Sequence, residues 1–192
     1  MNNNIIIAVT DGDSTAVKAV EKAAEQLDLT VIYESAGNPT AISGQEIINK
    51  IKDCDNNLAI VMFDDQGEIG TGLGEKAFLT VLNDSDIEII GVLAVASDLK
   101  AVQGIKPDFS ITKEEELVAE PVDKTGKSEA IGHETLEGDT LDMLNLLSDT
   151  LIVGVGDIGK MDDKDLAEQG APITTRAISE ILQRSEFESE NQ

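Results

Sequence analysis

Tryptophan is absent from this chain, tyrosine, histidine and cysteine occur once each, and phenylalanine only four times in 192 residues. A lone cysteine, Cys54, cannot close an intramolecular disulfide and suits a reducing compartment. With His133 as its only imidazole, the chain holds no His/Cys metal constellation. A Ser-His-Asp triad fares no better, since His133 stands in a Gly- and Glu-rich stretch that reads as a surface loop. So few aromatic rings leave little for nucleic-acid bases to stack on. Basic residues are also scarce: 14 Lys and Arg face 38 Asp and Glu, a formal charge of −24. Nucleic-acid binding needs cationic side chains against phosphate, so the balance argues against that partner. Adsorption to anionic lipid is disfavoured for the same reason. The bland source of the acidity is solubility or a salt-adapted host. Long apolar runs are missing too. After Met1-Asn2-Asn3-Asn4, which carries no basic targeting region, the first run ends at Asp11, far short of a membrane span. The expectation is a soluble protein made in the cytoplasm without a signal peptide.

What the chain does have is a repeated pattern of buried strand followed by aspartate and glycine. It occurs at Ile5-Ile6-Ile7-Ala8-Val9-Thr10-Asp11-Gly12-Asp13, at Leu58 to Gly67 with Asp64 and Asp65, and at Leu151 to Gly159 with Asp157. Continuous Ile, Val and Leu runs indicate strands covered on both faces, as in a parallel sheet flanked by helices. Ligands of such sheets sit beyond the carboxyl ends of the strands. The pattern predicts one three-layer α/β domain, Rossmann-like or flavodoxin-like, spanning residues 5–184, with a central parallel sheet of about five strands. Asp11, Asp64 and Asp157 should share one sheet edge, with Asp13, Ser35, Asn38, Asp65, Ser97 and Gly156 as further residues of a polar binding edge.

Along the chain, Ser14–Leu27 places Val17, Val20, Ala24 and Leu27 at helical spacing. Leu29–Tyr33 reads as a strand, and Ser43 with Glu46 forms a capping-box pattern opening a helix at Gly44–Lys52. Further helices are predicted at Glu75–Leu82, Gly138–Leu147 and Pro172–Leu182, and strands at Ile87–Ala96 and Thr150–Val155. Around residues 108–122, Phe109–Thr112 and Leu117–Ala119 suggest a small antiparallel excursion. Residues 185–192 read as an acidic, disordered tail.

Two glycine-rich segments invite a nucleotide and fail in detail. Gly154-Val155-Gly156-Asp157-Ile158-Gly159 has dinucleotide-loop spacing and Lys160 follows, but Met161 stands where a P-loop needs Ser or Thr. Asp157 would also set a negative charge within a phosphate cradle. A tight turn using glycine's backbone freedom explains the segment better. Gly70, Gly72 and Gly74 fit neither spacing.

A sharper enzyme reading starts from Asp11-Gly12-Asp13-Ser14-Thr15, which resembles the DxDxT opening of haloacid-dehalogenase-like phosphatases. That resemblance implies Asp11 as nucleophile and Asp13 as acid/base, with Ser97 near phosphate and Asp157 and Asp162 near Mg²⁺. Against it, Ser14 enters a helix at once and the sequence assigns no lysine to the transferring group. Aspartates capping turns and helix N-termini are the plainer account. Clustered carboxylates repel one another, so weak Mg²⁺ or Ca²⁺ binding at Asp11, Asp13 and Asp157 is expected, with Asp64 and Asp65 as contributors.

In chain order, a longer set of segments is similar to one family. These are Thr10–Asp13, Ser35-Ala36-Gly37-Asn38-Pro39-Thr40 with Ser43–Glu46, Val61–Asp65, Gly70-x-Gly72-x-Gly74-Glu75-Lys76-Ala77, Val95-Ala96-Ser97, Ile152–Asp162 and Pro172-Ile173-Thr174. Together they resemble the stage V sporulation protein AE family, the soluble component associated with the spoVA proteins of endospore formers. The resemblance runs from about Ile5 to Arg184 and is least distinctive over 100–137. It implies an accessory at the outer face of the spore inner membrane, beside other spoVA proteins that move calcium dipicolinate during sporulation and germination. It implies no catalytic residues.

Overall fold

The computed structural model describes residues 4–67, 72–98, 104–138 and 141–185. Its strands are β1 (Asn4–Val9), β2 (Thr30–Val31), β3 (Leu58–Met62), β4 (Ile87–Val95), β5 (Phe109–Ile111), β6 (Leu117–Val118) and β7 (Leu151–Val155). All seven join one sheet in the order β2-β3-β1-β4-β7-β5-β6. Every neighbouring pair is parallel except β5 with β6. This is the Rossmann-like α/β architecture expected, with two more strands than the five anticipated. The extra pair is the antiparallel excursion itself, since β5 docks in parallel on β7 and carries β6 at its free edge.

Helices α1 (Ser14–Leu27) and α4 (Pro172–Arg184) pack together on one face, and α2 (Gly44–Lys52) and α3 (Leu73–Leu82) on the other. Alternation of side chains along the strands separates the two cores. Ile7 and Val9 face α1 and α4, whereas Ile6 and Ala8 face α2 and α3. Both faces of β3 are buried, and this is why its sequence shows no polar alternation. Phe63 and Phe78 meet edge-on at 5.3 Å, which ties α3 to the end of β3. Such a pair is worth about 0.5–1.5 kcal/mol beyond the area it buries.

Local capping explains where helices begin. Asp13 accepts from the Thr15 and Ala16 amides and opens α1, and Ser43 and Glu46 form a complete capping box on α2. Two predicted elements depart most from their expected ranges. β2 covers only Thr30–Val31, because the chain turns into a 3-10 segment at Tyr33–Ser35. There the Ser35 hydroxyl donates to the Ile32 carbonyl and accepts from the Met62 amide, replacing a ladder bond. The helix expected over Gly138–Leu147 is a 3-10 turn at Asp142–Leu146, with residues 139–140 outside the described residues. Asp142 accepts from the Gly104 amide, and the Asn145 amide group donates both to the Gly104 carbonyl and to the Asp142 carbonyl of its own turn. Most of the expected acidic tail, residues 186–192, also lies outside the described residues, as does Gly70.

Candidate functional site

Because β1, β3, β4 and β7 run parallel, the residues that leave them gather at one edge. Thr10, Asp11, Asp13, Asn38, Asp64, Ser97, Asp98, Lys124 and Asp157 line a cleft of about 320 Å³, floored by Val95 and Ala96. It opens between the ends of β1 and β4, whose onward connections run to opposite sides of the sheet, the usual ligand position in sheets of this class. Asp11, Asp13, Asn38, Asp64, Ser97 and Asp157 of the expected edge are therefore brought together.

Three other residues of that expected edge do other work. Ser35 is fully buried beneath the edge, its hydroxyl engaged as described above. Asp65 is buried at the start of α3, where its carboxylate accepts from the Gly74 and Glu75 amides at 2.6–3.2 Å. Gly156 is a contact glycine. A Cβ there would come within 2.6 Å of the Gly126 nitrogen and 2.8 Å of the Lys124 carbonyl. The close approach lets the Asp157 amide donate to that carbonyl, and this positions Lys124 over the cleft. Of the glycines in this segment only Gly159 uses backbone freedom, at φ +76°.

Within the cleft the carboxylates differ in their partners. Asp64 accepts from the Gly12 amide at 3.1 Å and the Gln66 amide at 2.8 Å, joining the β1 and β3 turns. Asp13 spends one oxygen on capping α1 and the other on Lys160 Nζ at 2.8 Å. The same ammonium donates to Asp157 at 2.9 Å. Asp98 pairs with Lys124 at 2.8 Å. One Asp11 oxygen accepts from the Asp13 amide at 3.1 Å.

Burial pushes the Asp11 carboxyl up to about 7. The Asp13 amide opposes that rise, and the charges of Asp13, Asp64 and Asp157 add to it. Burial would raise Asp13 as well, but Lys160 and the α1 amides outweigh it and hold Asp13 below the ordinary carboxylate value. For Lys160, burial works against the charge, yet its bonds to Asp13 and Asp157 hold it above the usual lysine value.

Oxygens of Asp11, Asp13 and Asp157 lie within 4.8 Å of one another, a spacing a divalent cation could use. The Lys160 ammonium already bridges two of the three. That lysine was not assigned from sequence and corrects the expectation that none is placed here. Asp162, assigned with Asp157 to a magnesium motif, instead pairs with Lys113. His133 is about a third exposed near Glu137, in keeping with a surface loop.

Sequence reasoning also missed Asp165, which is fully buried. It accepts from the amides of Gly159, Ile173 and Thr174 and from the Thr174 hydroxyl. It thereby caps α4 and fixes the turn that carries Lys160. The left-handed run Met161-Asp162-Asp163 lies between these anchors. Its signature in sequence, one Asp among Asp162, Asp163 and Asp165, is indistinguishable from surface charge.

The family described as Stage V sporulation protein AE1 matches the chain over residues 5–185. No curated protein and no solved structure matches it. Among the described residues, no helix is long and apolar enough to cross a membrane.

Proposed function

The chain belongs to the stage V sporulation protein AE1 family, and from that premise we propose that it is a soluble, non-enzymatic accessory of the spoVA system in sporulation and germination. In this reading it assists movement of calcium dipicolinate across the spore inner membrane by binding other spoVA proteins at the outer face. The observation that carries the reading is the family match over nearly the whole chain. The cleft supports it as a place for contact, because it gathers charged and polar side chains beyond the strand ends. Deleting the gene in the source organism and timing dipicolinate release from purified spores tests it. Altered release is expected; normal sporulation with unchanged release overturns it. Pull-down with the other spoVA proteins tests the partner assignment.

The rival reading is a magnesium-dependent phosphatase with Asp11 as nucleophile. Lys160, bridging Asp13 and Asp157, and Ser97 in the same cleft as Asp11 favour it. Asp13 speaks against it, since both its oxygens are engaged and it is held ionised, so it has no proton to give a leaving group. The α1 helix also starts at Ser14, directly after it. Assay against phosphomonoesters with Mg²⁺, with Asp11→Asn as control, decides the matter. Hydrolysis abolished by that change overturns the accessory reading.

A further inference from the structure

Three consecutive residues with side chains lie in the left-handed region: Met161 at φ +46°, Asp162 at +54° and Asp163 at +63°. Non-glycine residues enter that region singly as a rule, and as Asn or Asp far more readily than as Met. A run of three headed by methionine persists only where its surroundings over-determine it, and such backbone gathers at switches and binding sites. Here the surroundings are specific. Met161 is 1% exposed and packs into the core that α1 and α4 cover. Asp165 joins the two sides of the run, taking the Gly159 amide before it and the Ile173 and Thr174 amides after it. Asp162 pairs with Lys113, and the Lys164 amide closes the run on the Met161 carbonyl at 3.1 Å. Immediately ahead stands Lys160, whose ammonium holds Asp13 and Asp157 at 2.8 and 2.9 Å.

We infer that the Met161–Asp163 run is a conformational catch: while it stays left-handed it holds Lys160 between Asp13 and Asp157, and its relaxation withdraws that cation from the cleft. This stands apart from the accessory reading. Passing from the left- to the right-handed region turns φ by about 120° at each residue. Asp165 resists that movement, because it is fully buried and its oxygens are taken by four donors. Lys160 stands inside the loop that Asp165 closes on Gly159, so re-aiming the run re-aims Lys160 rather than α4. Its two ion pairs are partly exposed and are the weaker hold. The cleft then has two states. With the catch set, Lys160 offsets carboxylate charge at the strand ends; with it released, Asp13 and Asp157 face the cleft without that cation. Asp13 caps α1 through its other oxygen in both states, so the change is confined to charge at the cleft and leaves α1 in place.

Asp163 is exposed, which lets one position test the backbone alone. Asp163→Gly and Asp163→Val remove the same charge, but glycine enters the left-handed region freely and β-branched valine does not. The full chain is followed by amide hydrogen exchange and by NMR titration of the Asp13 carboxyl. In Asp163→Gly, amides of residues 158–165 should exchange about threefold more slowly than in the unaltered chain, with the Asp13 midpoint unmoved. In Asp163→Val the same amides should exchange roughly tenfold faster or more, and the Asp13 midpoint should rise to the one found in Lys160→Met. Lys160→Met should itself speed exchange at Asp162 and Asp163 about twofold, because coupling between the lysine and the run is reciprocal. Amides of β1 and β3 should keep their protection in all three variants. Equal behaviour of the glycine and valine variants overturns the inference. So does an Asp13 midpoint that ignores valine, or unchanged exchange at Asp162 and Asp163 in Lys160→Met. Should valine abolish folding, glycine decides alone: slower exchange supports the catch, and unchanged or faster exchange overturns it.

Discussion

The turns that follow β1 and β3 look alike in sequence and do opposite things. Each is an apolar strand ending in two nearby aspartates, Asp11 and Asp13 after β1 and Asp64 and Asp65 after β3. After β3 both carboxylates are buried and taken by backbone amides, holding the chain from Gly12 across to α3. After β1 the carboxylates line the cleft, Asp11 with its charge disfavoured and Asp13 divided between a helix cap and Lys160. The difference teaches that an aspartate beyond a strand becomes available for recognition only where neighbouring amides leave its oxygens over. The β3 turn is mainly scaffold, with Asp64 also bordering the cleft; the β1 turn is site.

Breaking the scaffold turn should cost most. Asp65→Ala strands the Gly74 and Glu75 amides at the buried start of α3, and urea unfolding should show a loss of about 3 kcal/mol. The site turn should respond in the opposite direction. Asp11 titrates near 7 in the folded chain and near 3.8 when unfolded, so between those values the folded state binds more protons. Its ionisation therefore costs nothing below pH 4, costs progressively more up to pH 7, and stays constant above. Asp11→Asn should stabilise the protein at pH 8 by on the order of 2 kcal/mol and leave it unchanged at pH 4, measured by urea midpoints at both. Equal effects at the two values would show that Asp11 is not held protonated.

Asp13→Ala removes the α1 cap, and thermal unfolding at pH 7 should report a loss of about 1 kcal/mol. Because the folded Asp13 pKa is lowered, its contribution is present above the ordinary carboxylate value and fades as pH falls through the lowered one. Lys160→Met should have the smallest effect on stability, about 0.5 kcal/mol, since this ion pair is partly exposed. Its signature is a rise in the Asp13 pKa, followed by NMR titration of the side-chain carboxyl.

Much of the fold was legible because its signals are local. The bounds of α1 and α2 follow from capping residues and helical spacing within one turn. The buried runs of β1, β3 and β7 announce a parallel sheet through their own composition. Legibility failed where distant groups compete with local preference. Ser35 curls the end of β2 by bonding Met62, and the distant Gly104 backbone engages the side chains of Asp142 and Asn145 where an α-helix was expected. In the site, the strand-end positions of Asp11, Asp64, Ser97 and Asp157 were readable, but the partners of their side chains were not.

Composition and spacing by themselves determined the α/β class, the lack of an intramolecular disulfide and the gathering of aspartates at one strand edge. These depend on residue type and on periods of two or 3.6, which are written in neighbouring positions. Only the tertiary structure decided which aspartate is cap, clamp or site. That choice hangs on contacts between positions far apart in the chain: Gly12 with Asp64, Lys160 with Asp13, and Lys124 brought over the cleft by the close packing at Gly156. A carboxylate's charge and availability depend on the donors and burial around it, and folding alone brings those together.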